Sequence, residues 1–214
     1  MIRRTVVIGT GIAAVGLFAG GALLYRPSQT QLPGIATTSG AAPLIRPHAP
    51  VLGPVDARVT IVEFFDPACE ACRAFHPVVK RIMAIFPGKV RVVLRYTAFH
   101  PPSEEAIRIL EAARLQGKFE VVLERLYETQ PRWAPHGRPA DSAWSVLDGT
   151  GLDIDRARKD AASPSVAAVL NQDAADVKSV GVRATPTLFV NGKPLQKFGA
   201  QQLSDLVKAE VEAN

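Results

Sequence analysis

Cys69 and Cys72 are the whole thiol content of this 214-residue chain, and only Glu70 and Ala71 separate them. A disulfide that staples a fold closes a long loop, and a bridge over two residues closes almost none. The spacing suits thiol–disulfide exchange or metal ligation. Exchange needs a thiolate as nucleophile. The thiolate is favoured at the start of a helix, where free backbone N–H groups and the positive end of the dipole face the sulfur. Such a helix is predicted from about Cys69, because Phe75, Val78, Val79, Ile82, Met83 and Phe86 form one apolar face. Cys69 then attacks a substrate disulfide to give a mixed disulfide, and Cys72, one turn further in, resolves it. The reverse order donates a disulfide. Two other uses of the pair stay open at this point, half of a zinc or copper site and two inert buried thiols. A zinc site needs two more ligands, and His48, His76, His100 and His136 form no H-x₃₋₅-H pair.

Two neighbours add chemistry. Glu63 alternates in phase with Val59, Ile61 and Phe65 along a predicted strand. If that face is buried, the carboxylate sits beneath the helix start with a raised pKa and can exchange a proton with Cys72. The alternative is a Glu on a solvent-facing edge. Thr185-Pro186 immediately precedes another predicted strand, where a proline belongs because it cannot donate to a ladder. The sequence leaves open a cis bond or an ordinary trans loop proline.

These residues need a frame. Arg58 to Phe65 reads as a strand, Pro87-Gly88 ends the helix, and Val90 to Tyr96 is a second strand, parallel to the first by default. A helical stretch follows. Ser103 is the expected N-cap of its first helix, with Glu104 and Glu105 suited to the dipole, and Gly117 closes it. Phe119, Val122, Leu123, Leu126 and Tyr127 mark a second helix, Pro131 to Pro139 a loop, and Trp144 and Leu147 a short helix. Ser163-Pro164 opens another, carrying Val166, Val169, Leu170, Ala174 and Val177. Thr187 to Val190, the turn Asn191-Gly192 and Leu195 to Phe198 read as a hairpin, followed by a helix with Leu203, Leu206, Val207 and Val211.

Ahead of this lies a different kind of sequence. Arg3 and Arg4 precede an uncharged run from Thr5 to Tyr25, about 20 residues and long enough to span a bilayer. It is expected to be a signal anchor or a cleaved signal peptide, with everything after it exported. Residues 26–56 are rich in Pro, Gly, Ser, Thr and Ala and read as a flexible tether, with the folded domain at 57–214. The formal charge of +5 is concentrated here: four of the 25 basic residues and none of the 20 acidic ones precede residue 51. The rest is nearly neutral, so nucleic acid is not an expected partner.

The run Val62-Glu63-Phe64-Phe65-Asp66-Pro67-Ala68-Cys69-Glu70-Ala71-Cys72 resembles the active-site segment of DsbA-like thiol–disulfide oxidoreductases in the thioredoxin superfamily. The stretch from Val182 to Gly192 resembles the cis-proline strand and hairpin of that family, and Pro77 its helix-kinking proline. The resemblance covers about Val51 to Asn214. It implies an α/β thioredoxin fold with a helical insertion at about 98–180. It also implies Cys69 as nucleophile, Cys72 as resolving cysteine, a cis Pro186, and substrate binding by backbone at Thr185. No cofactor beyond the redox-active pair is implied, and no metal. Implied partners are cysteine-containing protein substrates and a membrane redox partner, for a monomer on the periplasmic or other extracytoplasmic side of a bacterial inner membrane. The dipeptide Glu70-Ala71 departs from the Pro-His of strongly oxidising members. A carboxylate there disfavours the Cys69 thiolate, so a less oxidising couple is expected.

Overall fold

The computed structural model describes residues 44–213. Its centre is the strand β2 (Val59–Phe65), whose seven residues are all buried. Its β-branched and aromatic side chains serve two cores by strict alternation. Val59, Ile61 and Phe65 enter the larger core, and Val62 and Phe64 the smaller one. The helix α1 (Glu70–Ile85) follows, burying Cys72, Phe75, Val79 and Ile82 against the sheet. It leads to β3 (Val90–Tyr96), which pairs with β2 in parallel from Val59–Val90 to Phe65–Tyr96.

The insertion then packs on the larger core through α2 (Ser103–Arg114), α3 (Phe119–Glu128), the one-turn α4 (Gln130–Trp133), a 3-10 turn (Ala143–Val146) and α5 (Ile154–Ala161), while α6 (Pro164–Val180) reaches both cores, with Val169 and Leu170 on the larger and Val177 in the smaller. Ser163 caps α6 as expected, its side chain accepting from the Val166 N–H, and Pro164 takes the first helical position. The chain returns through β4 (Thr187–Val190), antiparallel to β2, the two-residue β5 (Lys193–Pro194) and α7 (Ala200–Ala213). With the two-residue β1 (Val51–Leu52) on β3, the mixed sheet has the order β1-β3-β2-β4-β5.

Several expectations change. Ser103 is the first residue of α2, not its cap, because its hydroxyl is used elsewhere, donating to Asp66. The hairpin partner is Lys193–Pro194, not Leu195 to Phe198. Asn191 and Gly192 adopt φ of 47° and 81°, and a two-residue turn of this kind pairs the residues on either side of it directly. Helix α5 was not expected, since it buries only Ala157 and Ala161. The boundary at 57 lies inside folded structure. Val51 and Leu52 pair with Val93 and Val92, and Ala49 joins the smaller core. Arg46 and His48 reach the carboxylates of Asp176 and Asp173 at 2.7 Å each. The anchor or signal at 1–25 and the tether up to residue 43 lie outside the described residues. Among the described residues, no helix is long and apolar enough to cross a membrane.

Candidate active site

Cys69 is the N-cap of α1, in extended conformation at φ −77°, ψ 122°. The first free N–H groups of the helix therefore point at its sulfur. Hydrogen bonds from the Cys72 thiol, the Thr185 side chain and the backbone of Cys72 and Ala71 bring the pKa of Cys69 down to about 5, the Cys72 bond contributing most and burial opposing. In the thiol form Cys69 Sγ donates to the Thr185 carbonyl at 3.3 Å. That contact favours the protonated sulfur, but the donors outweigh it. The Thr185–Pro186 peptide is cis. Cys72 is fully buried and moves the other way. Its bond to the Cys69 sulfur, then burial, then the charge of Glu63 push its pKa far up. Both cysteines are free thiols, so the pair is an ionisable sulfur backed by a proton-holding one.

Glu63 is 3% exposed, paired across the sheet to Leu94 and Leu188. Burial first, and the charge of Cys69 second, raise its pKa to about 8. The alternation that placed it on the face of Val59, Ile61 and Phe65 is the one observed. Glu70 is different. Its side chain is 60% exposed, 3.8 Å from His136 Nε2, and the state of Cys69 is set by Cys72, Thr185 and helix N–H groups instead. Ala71 acts through its N–H alone. Among the described residues, no group of three or more His, Cys, Asp or Glu side chains could hold a metal ion.

Two buried polar residues at the site escaped the sequence reading. Asp66, at the end of β2, accepts from Ala68 N–H at 2.8 Å, Phe99 N–H at 2.8 Å, His100 N–H at 3.2 Å and the Ser103 hydroxyl, and pairs with His100 Nδ1 at 2.8 Å. Its own N–H points at Cys72 Sγ, 3.5 Å away. This one carboxylate ties the turn before Cys69 to the loop before α2. Asp-Pro is a turn signal, and that was the available clue. Gln130, 1% exposed, donates from Nε2 to the carbonyls of Pro67 at 2.8 Å and Cys69 at 3.1 Å. Nothing local in its sequence marks it.

A family model described as thioredoxin matches residues 46–209. The chain belongs to the thioredoxin family. Solved structures share its fold. A thioredoxin-like oxidoreductase from Silicibacter pomeroyi is 29% identical with a TM-score of 0.67, over 80% of this chain and 96% of that one. Oxidised BdbD from Bacillus subtilis, at 24% identity, shares the fold with a TM-score of 0.68 over 77% and 94%. Among curated relatives, the Na(+)/H(+) antiporter NhaA of Herminiimonas arsenicoxydans is 31% identical over 160 residues, 74% of this chain but only 25% of the antiporter. The chain thus spans about a quarter of the length of that relative.

Proposed function

We propose that this chain exchanges disulfides with cysteine-bearing proteins outside the cytoplasm, with Cys69 as the attacking sulfur and Cys72 as the resolving one. The observation that carries the reading is the placement of Cys69 at the N-cap of α1, its sulfur 3.3 Å from the carbonyl of the cis Thr185–Pro186 peptide, with Cys72 fully buried behind it. The Cys69 thiolate attacks one sulfur of a substrate disulfide. A Cys69–substrate S–S bond forms, the substrate bond breaks, and the second substrate sulfur leaves with the electron pair as a thiolate. The negative charge on Cys69 is then gone. That charge was the acceptor that held the Cys72 proton and one cause of the raised pKa of Glu63. Both groups therefore become more acidic at the moment the mixed disulfide forms. Glu63, whose charge acts on Cys72, takes the Cys72 proton, and the freed thiolate attacks Cys69 Sγ. The products are the intramolecular disulfide and a reduced substrate. Run backwards, the same steps oxidise a dithiol, so the net direction follows the redox partner.

The uncharged run Thr5 to Tyr25 behind Arg3 and Arg4 supports export and retention at a membrane surface. Backbone beside Pro186 is the docking strand for an extended substrate. Sodium–proton exchange is no part of this reading, because only a quarter of the antiporter is shared.

The test is reduction of insulin and oxidative refolding of a reduced substrate by metal-free protein. Cys69→Ser abolishes both, and Cys72→Ser accumulates the mixed disulfide. Metal-free wild type without activity, or activity surviving in Cys69→Ser, rejects the proposal.

A further inference from the structure

The turn that presents Cys69 is held by several hydrogen bonds to its backbone. The Asp66 N–H meets Cys72 Sγ, the Asp66 carbonyl accepts from Cys69 N–H at 3.0 Å, and the Ala68 N–H meets the Asp66 carboxylate at 2.8 Å. The carbonyls of Pro67 and Cys69 have one donor in common, the Nε2 of Gln130. Gln130 opens α4 and belongs to the insertion, 61 residues from Cys69 in the chain. Its amide orientation is determined, because a flipped group would set Oε1 against two carbonyl oxygens. In this orientation Oε1 is buried without a protein partner among the described residues. A buried unpaired acceptor is destabilising, and Met of similar size would avoid it. What the amide gains is the pair of bonds to the redox turn.

We propose that Gln130 is a positioning residue of the redox site, by which the helical insertion holds the turn that aims the Cys69 sulfur at the N–H groups of α1. The inference rests on Cys69 being the attacking thiol. Without the clamp the Pro67 carbonyl loses the Gln130 donor, the Cys69 carbonyl keeps the Arg73 N–H at 3.1 Å, and the loosened turn lets the sulfur drift from the N–H groups of Ala71 and Cys72. Its thiolate loses stabilisation, and the disulfide becomes harder to reduce. The insertion is then a working part of the thiol chemistry as well as a lid on the core.

The test is titration of the Cys69 thiolate by its ultraviolet absorbance in reduced Gln130→Met and Gln130→Glu, alongside their melting temperatures. In Gln130→Met the midpoint rises by about 1 pH unit and alkylation at pH 5 slows about fivefold. In Gln130→Glu, which sets an acceptor where the donor stood, the rise is larger. Two folded variants with lowered melting temperatures and the wild-type midpoint overturn the inference. Failure of both to fold also overturns it, since the side chain then holds the domain and not the sulfur. The titration uses no substrate. An inactive wild type therefore refutes the exchange reading alone, and an unmoved midpoint refutes this one alone.

Discussion

The two faces of the sheet bury charge in opposite ways. On one, Glu63 lies among apolar side chains with burial and the Cys69 charge both working against its ionisation. On the other, Arg95 is fully buried but bonded to Asp173 through Nε at 3.2 Å and Nη2 at 2.7 Å, to Asp176, and to the Leu44 carbonyl at 2.7 Å. Arg46 adds two bonds of 2.7 Å to Asp176, whose pKa falls to about 2, that bond being the largest cause. Arg95 also lies over the Phe64 ring, 5.3 Å from its centroid. Neighbouring residues of one strand, Glu63 and Phe64, thus face a site where charge is poised to change and a site where it is locked. A buried carboxylate with matched cations is scaffold, whereas one left near neutrality is available for proton transfer.

The contrast can be broken most severely on the locked side. Arg95→Met takes the buried cation from Asp173 and Asp176, leaving them His48 and Arg46, and costs about 3 kcal/mol in urea unfolding, with the Cys69 titration unmoved. A shift in that titration would mean that the faces are coupled. On the poised side, Glu63→Gln slows resolution of the mixed disulfide about 10- to 100-fold in quenched-flow trapping and stabilises the protein. The sign follows from the raised pKa. The unfolded chain releases this proton near 4.5 and the folded one near 8, so wild-type stability falls as pH rises between those values. The gain in melting temperature, about 3–6 °C, is greatest at pH 8 and above and vanishes below pH 4. The smallest effect belongs to Glu70→His. With a side chain 60% exposed, water screens its charge, and the redox potential measured against glutathione rises by about 10–20 mV.

The chemistry of the site was legible because it is carried by spacing. Cys69 falls at a helix start and Glu63 on a strand face, and both follow from periods of 3.6 and two residues. Asp66 and Gln130 were not, since their hydrogen bonds join segments 33 to 63 residues apart and leave no periodic trace. The strap from Leu44 to Leu52 was hidden for another reason. With Pro47 and Pro50 and no periodic apolar pattern it matches a linker, while its order comes from Arg46 and His48 finding Asp176 and Asp173 across the fold. The displaced hairpin strand shows that a turn sets register more strictly than the apolar residues after it. The modest helix α5 shows that an N-cap, here Asp153 accepting from Arg156 N–H at 3.0 Å, can start a helix with little to bury.

Both rims of the sheet end in strands of two residues, Val51–Leu52 on one side and Lys193–Pro194 on the other. A rim so short, with a lysine and a ring that lacks an N–H on one side, offers almost no template to an extended foreign chain. Little of the described sheet edge is therefore left open to strand addition by a second chain.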